Sequence, residues 1–363
     1  MSDTSVKVSI GGTPLPEAAL SSVQSIDVNE GMNAQTQVSV VVAATVDDTS
    51  NWSSPLDALV QPFAKFEVAI TRGDTSLVVP ARATSAAWSL QPGQLSTMTI
   101  AGLDASADLD REEHQKPWGG VSDANIARQL LGSIGAPKVT DTDGPKGTDT
   151  ETPRQRGTDW AYLRTLADRN QFDVYVTSEK GQIVCVFGPT DPLAAPSAQL
   201  DLGYGALGGT ASVSVQLVAG QAVKVTHAVE GQPDQQVAFN DGKGHAMGSQ
   251  SLGGAVTVLR NEQDLDGRQK PDVAARVMAE NSAFGATLSV TLSAPSMPLV
   301  RARRTVTVRG LGPLVSGLWL VKSVRHTITP GGHTQSISLT RNALGSSAAG
   351  GGLLGALAGA TGF

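Results

Sequence analysis

Apolar and polar residues alternate along most of this chain. Val6, Val8 and Ile10 alternate and stop at Gly11-Gly12. Val23 to Asn29 and Thr36 to Ala44 repeat the pattern, the second with Val38, Val40 and Val42. It returns in Lys65 to Ile70, in Val78 to Trp88 and up to Ile100. The stretch from Thr305 to Asn342 has the same character. Val306 and Val308 alternate with Thr and Arg; Leu318, Leu320, Val324 and Ile328 share one parity, interrupted by Lys322 and His326; Ile337 and Leu339 alternate with Ser336, Ser338 and Thr340. A period of two marks strands with one buried face. The connectors, Gly310-Leu-Gly-Pro, Ser316-Gly317 and Pro330-Gly-Gly, are turn chemistry. The stretch therefore predicts an antiparallel meander of at least three strands.

Two parts of the chain resemble each other. Ser89 to Asp104 can be set beside Thr327 to Asn342: Pro92-Gly93 matches Pro330-Gly331, and Asp104 matches Asn342. Each is preceded by one long strand and, further upstream, by another alternating strand, with parity shifted by one residue. Such self-similarity predicts a duplicated β unit.

Between the two lies a different texture. Asp104 to Lys116 is acidic and reads as a solvated helix or loop. Ser122 to Gly135 reads as a helix, with Ser122 as N-cap, Ile126, Ala127, Leu130, Leu131 and Ile134 on one face, and Gly135 as its stop. Val139 to Gly157 loses periodicity and reads as an exposed loop. Thr158 caps a second helix with Trp160, Leu163, Leu166 and Ala167 buried and Asn170 at its end. Strands Phe172 to Thr177 and Gln182 to Phe187 follow around a Glu179-Lys-Gly181 turn. Pro189 to Gly209 reads as a linker. Thr210 to Val229 alternates again; Gly231 to about Asn281 is polar, with a helix near Pro271 to Asn281; Ala286 to Leu292 resumes the strands. The expected divisions are a first β-barrel at 1–104, an α+β insertion at 105–205, a second barrel at 206–232 and 285–342 split by an insertion at 233–284, and a Gly-rich apolar tail at 343–363.

Composition narrows the function classes. With 363 residues the chain can bury several cores, and 40 glycines with 4% aromatics suit many short strands joined by turns. A net charge of −6 argues against a dedicated nucleic-acid surface. Arg301-Ala-Arg-Arg304 is the densest basic cluster and reads as solvent-facing or interfacial. The single cysteine, Cys185, lies in an apolar strand and reads as core. No N-terminal signal and no run of membrane-spanning length is visible, so cytoplasmic synthesis and assembly are expected.

Gly310 to Gly317 reads G-x-G-P-x-x-S-G; it is followed by Ser323-Val-Arg-His326, Pro330-Gly-Gly332 and a last strand ending Arg341-Asn342. This resembles the closing sheet of the phage late control gene D protein family, the hub proteins of contractile phage tails and related injection systems, and the hub half of VgrG proteins. Ile100-Ala-Gly-Leu-Asp104, the helix around Ile126, Asp159-Trp160 with Leu163-Arg164, and Phe172-Asp-Val-Tyr-Val176 resemble the same family's exit from its first barrel and its α+β insertion. The resemblance implies a mainly β chain with two tail-tube-like antiparallel barrels. It further implies a homotrimer that joins a hexameric inner tube, or its initiator, to a trimeric spike, among other baseplate components. VgrG-type chains continue into a spike; here the expectation is a separate spike polypeptide. Leu353, Leu354, Leu357 and Phe363 of the tail are then candidate interface residues, against the trimer axis or the spike.

Catalytic chemistry has little to stand on. His114, His227, His245, His326 and His333 form no H-E-x-x-H or Cys/His cluster, and no G-x-S-x-G is present. Asp141-Thr-Asp-Gly and Asp264-Leu-Asp-Gly lack the full calcium-loop spacing. Gly350 to Gly355 reads G-x-G-x-x-G without the βαβ unit a dinucleotide needs. His326 reads as a packed or surface strand histidine. No catalytic, cofactor or metal residue is expected, and no enzyme. The rival classes are a surface or secreted β-rich binding module and a tail-associated cell-wall hydrolase.

Overall fold

A computed structural model describes residues 4–46, 51–89, 95–142, 154–170, 172–202, 209–215, 221–227, 235–239, 247–251, 256–261, 284–293 and 297–345. The fold is mainly β. Its first unit contains β1 (Thr4–Ile10), β2 (Thr13–Pro14), β3 (Val23–Gly31), β4 (Gln37–Ala43), β5 (Thr45–Val46), β6 (Trp52–Ser53), β7 (Lys65–Arg72), β8 (Thr75–Ser89) and β9 (Thr97–Asp104). Six of these pair in the order β1-β7-β8-β9-β4-β3, all antiparallel. Alternation does what it should: Val38, Val40 and Val42, Phe66, Val68 and Ile70, and Met98 and Ile100 all point into one core, shared with Val8, Ile26 and Val28. Each such side chain contributes about 1.5–3 kcal/mol on burial.

The α+β unit contains β10 (Glu113–Pro117), α2 (Asp123–Leu131), β11 (Ala136–Val139), β12 (Arg154–Thr158), α3 (Asp159–Asn170), β13 (Asp173–Glu179) and β14 (Gln182–Gly188); α1, in the first unit, is the single turn Glu17–Leu20. Ser122 accepts from Asn125 N and caps α2; Thr158 accepts from Ala161 N and caps α3. Trp160, Leu163, Leu166, Ala167 and Cys185 are buried with Ile126 and Leu131 in a second core. Burial pushes the Cys185 thiol up to about 12, so it behaves as an apolar residue.

Three readings of this region are corrected. The helix ends at Leu131, and Gly135 is needed for a different reason: a Cβ there would meet Ile183 at 2.7 Å. Arg154 to Gly157, read as the end of a loop, belongs to a strand that pairs with β10 and runs to Thr158. The acidic segment is only partly solvated. Asp104 is fully buried and accepts from Thr36 N, Ser106 N and Ser106 Oγ, seating the short turn Ala105–Leu109 against the core.

The last part of the chain contains β15 (Ala198–Asp201), β16 (Gly209–Val215), β17 (Gln221–His227), β18 (Gln235–Phe239), β19 (Gln250–Ser251), β20 (Val256–Asn261), β21 (Ala286–Leu292), β22 (Thr305–Arg309), β23 (Gly317–Thr329), β24 (Gly332–Arg341) and β25 (Ala343–Leu344). Six of these pair in the order β15-β22-β23-β24-β21-β16. This is the first unit's order, strand for strand: β15 stands for β1, β22 for β7, β23 for β8, β24 for β9, β21 for β4 and β16 for β3. Only β15 differs in sense, being parallel to β22 where β1 is antiparallel to β7. It lies within the stretch read as a linker. The segment Val223–Val225, expected in the second barrel, pairs elsewhere: β17 joins β18 and β20 in a separate three-stranded sheet. The helix expected near Pro271 to Asn281 lies outside the described residues.

Finer details repeat as well. The long strands β8 and β23 each carry a bulge, at Ala83/Ser85 and at Val321/Ser323. The bulge flips parity, so Trp319, Val321 and Val324 share one core while Leu318 and Leu320 enter another with Met247. The single face read from Leu318 to Ile328 is corrected accordingly. Just upstream of β7 and β22, Phe63 and Arg303 both take left-handed φ, 60° and 65°, and pair in the same way with Ala83 and Val321.

Candidate functional site

The two units are not separate sheets. Strand β3 of the first pairs antiparallel with β23 of the second, from Ser323 opposite Gly31 to Ile328 opposite Ile26. One continuous sheet results. The edge of β23 is thus divided: its first residues take β22, and beyond the bulge the same edge takes β3.

This seam is charged. Glu30, 3% exposed, stands opposite Val324 and accepts two hydrogen bonds from Arg301, at 2.8 and 2.7 Å. Arg303 pairs with Asp173 of β13 at 2.9 Å, lies 4.2 Å from the centre of the Tyr175 ring, and donates to Gly31 O and Ala34 O. Asp173 also accepts from Asn33 N. Burial pushes the Glu30 carboxyl up, but Arg301 and, less strongly, His326 and Arg303 hold it below its ordinary range. For Asp173 burial wins over Arg303, and its carboxyl is raised. Of the run read as solvent-facing or interfacial, Arg304 is exposed, while Arg301, half-buried, and Arg303, buried, form a clamp inside the molecule. Its partners come from β3 and from the α+β unit.

Behind Glu30 runs a buried polar chain. Arg72 Nε donates to Thr4 Oγ1 at 2.8 Å; that hydroxyl lies 3.4 Å from His333 Nδ1; His333 Nε2 lies 3.2 Å from His326 Nδ1. Arginine only donates, so Thr4 Oγ1 accepts from Arg72, and a neutral His333 links Thr4 to His326 with one ring nitrogen donating and the other accepting. Burial pushes His326 down to about 4, and burial with nearby His326 and Arg72 pushes His333 down to about 3. Gln335, opposite His326, accepts from Val300 N and donates to Pro298 O.

The repeat supplies a second edge like that of β23 and a second strand like β3. The position of His326 on β23 is that of Trp88 on β8, and among the described residues β8 has no partner on that edge beyond Ala83. His326 is fully buried under β3, while Trp88 is 46% exposed. Strand β16, the counterpart of β3, pairs β21 on one side and no other strand among those described. Trp88 was legible only once the two hairpins were aligned on their bulges.

Other chemistry is sparse. Among the described residues no group of three His, Cys, Asp or Glu could hold a metal ion, and no helix is long and apolar enough to cross a membrane. A polar recess lies between Asp108, Arg111, Glu112, His114 and Asp159. Two of its carboxylates are committed: Asp108 pairs with Arg82, and Asp159 accepts from Gln155. The tail residues Leu353, Leu354, Leu357 and Phe363, and the G-x-G-x-x-G at Gly350 to Gly355, lie outside the described residues.

No protein-family model and no curated protein sequence matches the chain. Solved structures do. A tail protein from Neisseria meningitidis MC58 superposes with a TM-score of 0.65 at 15% identity, over 94% of this chain and 97% of that one. The 43 kDa tail protein of prophage MuSo2 from Shewanella oneidensis gives 0.62 at 14%, over 93% and 98%. An Escherichia coli component of the type VI secretion system, described as structurally similar to the bacteriophage T4 tail proteins gp27 and gp5, gives 0.54 at 11%, over 92% and 76%. At these identities what is shared is the fold.

Proposed function

We propose that this chain is the structural hub of a contractile phage tail or phage-like injection system. In this reading a homotrimer joins a hexameric inner tube to a separate spike. The observation that carries it is the duplicated six-stranded unit with one filled seam and, among the described residues, two open edges of the same kind. Each copy contributes one donor strand and one acceptor edge, a head-to-tail contact that closes into a ring when three such steps complete a full turn. Three copies make six like units, which is the symmetry a six-fold tube can meet on one side and a three-fold spike on the other. Closure also removes exposed sheet edges. The likeness in fold to phage tail proteins and to a type VI secretion component supports the reading. So does the resemblance of Gly310 to Asn342 to the late control gene D family.

The divisions follow: a first tube-like barrel at 1–104, an α+β insertion from 105 up to β15, a second barrel made of β15, β16 and 285–342, and a tail at 343–363. The tail side chains Leu353, Leu354, Leu357 and Phe363 would contact the ring axis or the spike. The role is mechanical, and no residue is assigned to catalysis. Negative-stain images of the full chain test this. Three-fold rings with six similar lobes are expected; isolated two-lobed particles at every concentration would refute it.

A further inference from the structure

We infer that the exposed edge of β8 around Trp88 and Phe63 is a docking surface for β16 of a second copy, and that matched chemistry, charged at one seam and apolar at the other, dictates which strand enters which seam. The inference rests on the hub reading and assigns its contacts.

The filled seam supplies the template. Carrying its register across the repeat sets Val215 opposite Ala86, Ser214 opposite Ala87 and Val213 opposite Trp88. The occupant is a second copy because β16 and the β8 edge sit at repeat positions of two strands that already pair within the chain. The residues then sort by chemistry. Around Glu30 stand Arg301, His326 and Arg303. At the same repeat positions stand Val215 for Glu30, and Gln61, Trp88 and Phe63 for the other three. Glu30, Arg301 and Arg303 are thus each replaced by a neutral residue, and so are Asp27 and Arg325, paired across the same seam, by Ser212 and Ala87. Phe63 is half-buried with Arg111 stacked 4.6 Å from its ring centre, and Trp88 is half-exposed.

The two seams therefore do not interchange. Were β3 of another copy to enter the β8 edge, Glu30 would be buried beside Trp88 with Gln61 in the place of Arg301 and Arg111 held on the Phe63 ring, so it would lose its bidentate partner, a costly state. Were β16 to enter the β23 edge, Arg301 would lose its carboxylate. Wrong closure is disfavoured by an unpaired charge either way.

The test is charge transplantation in the full chain, read as trimer–monomer midpoint by light scattering, with circular dichroism confirming the fold. Val215→Glu is expected to weaken assembly at least about 30-fold. Adding Gln61→Arg should rebuild the Glu30–Arg301 pair between copies, restore assembly and make it salt-sensitive. Trp88→Lys, at a site half-open in the lone chain, should weaken assembly to a similar degree and decides the matter if Val215→Glu misfolds. A wild-type trimer indifferent to Trp88→Lys and Val215→Glu overturns the assigned seam and leaves the hub reading standing. Weakening without rescue by Gln61→Arg overturns the charge matching. A wild-type chain that is monomeric throughout takes the hub reading down as well.

Discussion

The two six-stranded units share their order, their bulge and their left-handed residue, yet they fill the same frame with different chemistry. At the end of the last strand the first unit buries Asp104, and the second buries Arg341. Asp104 accepts from backbone amides at one end of its unit; Arg341 donates to Val315 O, Ser316 O, Met247 O and Gly345 O, under Trp319. Both hold the chain where it leaves the sheet, with opposite charges. Volume is traded too. Gly102 of β9 leaves room for Phe66, and a Cβ there would fall 2.8 Å from that ring. At the same positions the second unit has Leu339 and Val306, large and small exchanged. A fold duplicated in topology keeps its backbone and drifts in side chains, provided that each change is met by its neighbour.

The largest expected effect breaks the seam that joins the units. Arg303→Ala leaves Asp173 buried without its cation and should cost about 3–5 kcal/mol in urea unfolding. Phe63→Ala, its repeat mate, strands no charge and should cost well under half of that.

Acid should come next and should act on the second unit. Free histidine has an ordinary value of 6.5, and burial pushes His326 down to about 4. The unfolded chain then binds the proton first, so stability is complete above about pH 6.5 and falls as pH drops towards 4. A loss of about 3 kcal/mol is expected over that window. His326→Gln with His333→Gln should flatten the pH profile; an unchanged profile would remove the pair from the account.

The smallest effect tests the exchanged volumes. Gly102→Ala pushes a methyl against Phe66 and Arg82 O and should cost about 1–3 kcal/mol. Adding Phe66→Val should return part of it, because the pair then approaches the second unit's arrangement. Additive losses would show that the two sites do not compensate.

Much of this frame was legible in the sequence. The alternation of Val38-Val40-Val42 and of Ile337-Leu339 located strands, because period two follows directly from one buried face. The caps Ser122 and Thr158 located helices, because their hydroxyls meet free amides. What stayed hidden was set at a distance. Arg301 looks like surface until Glu30, 271 residues away in sequence, is placed beside it. The bulge at Val321/Ser323 leaves no mark in composition, yet it turns every later side chain over. Strand β15 is four residues long, and its register comes only from β22. Trp88 is the repeat mate of a buried histidine, a correspondence that the shared bulge fixes.

The claim that the repeat is built to close into a ring is tested most directly by the solution mass of the purified full chain, measured by light scattering across a wide concentration range. The account predicts a species of three chain masses, present alone or appearing as concentration rises. A monomer at every concentration, or a dimer that saturates, would contradict it.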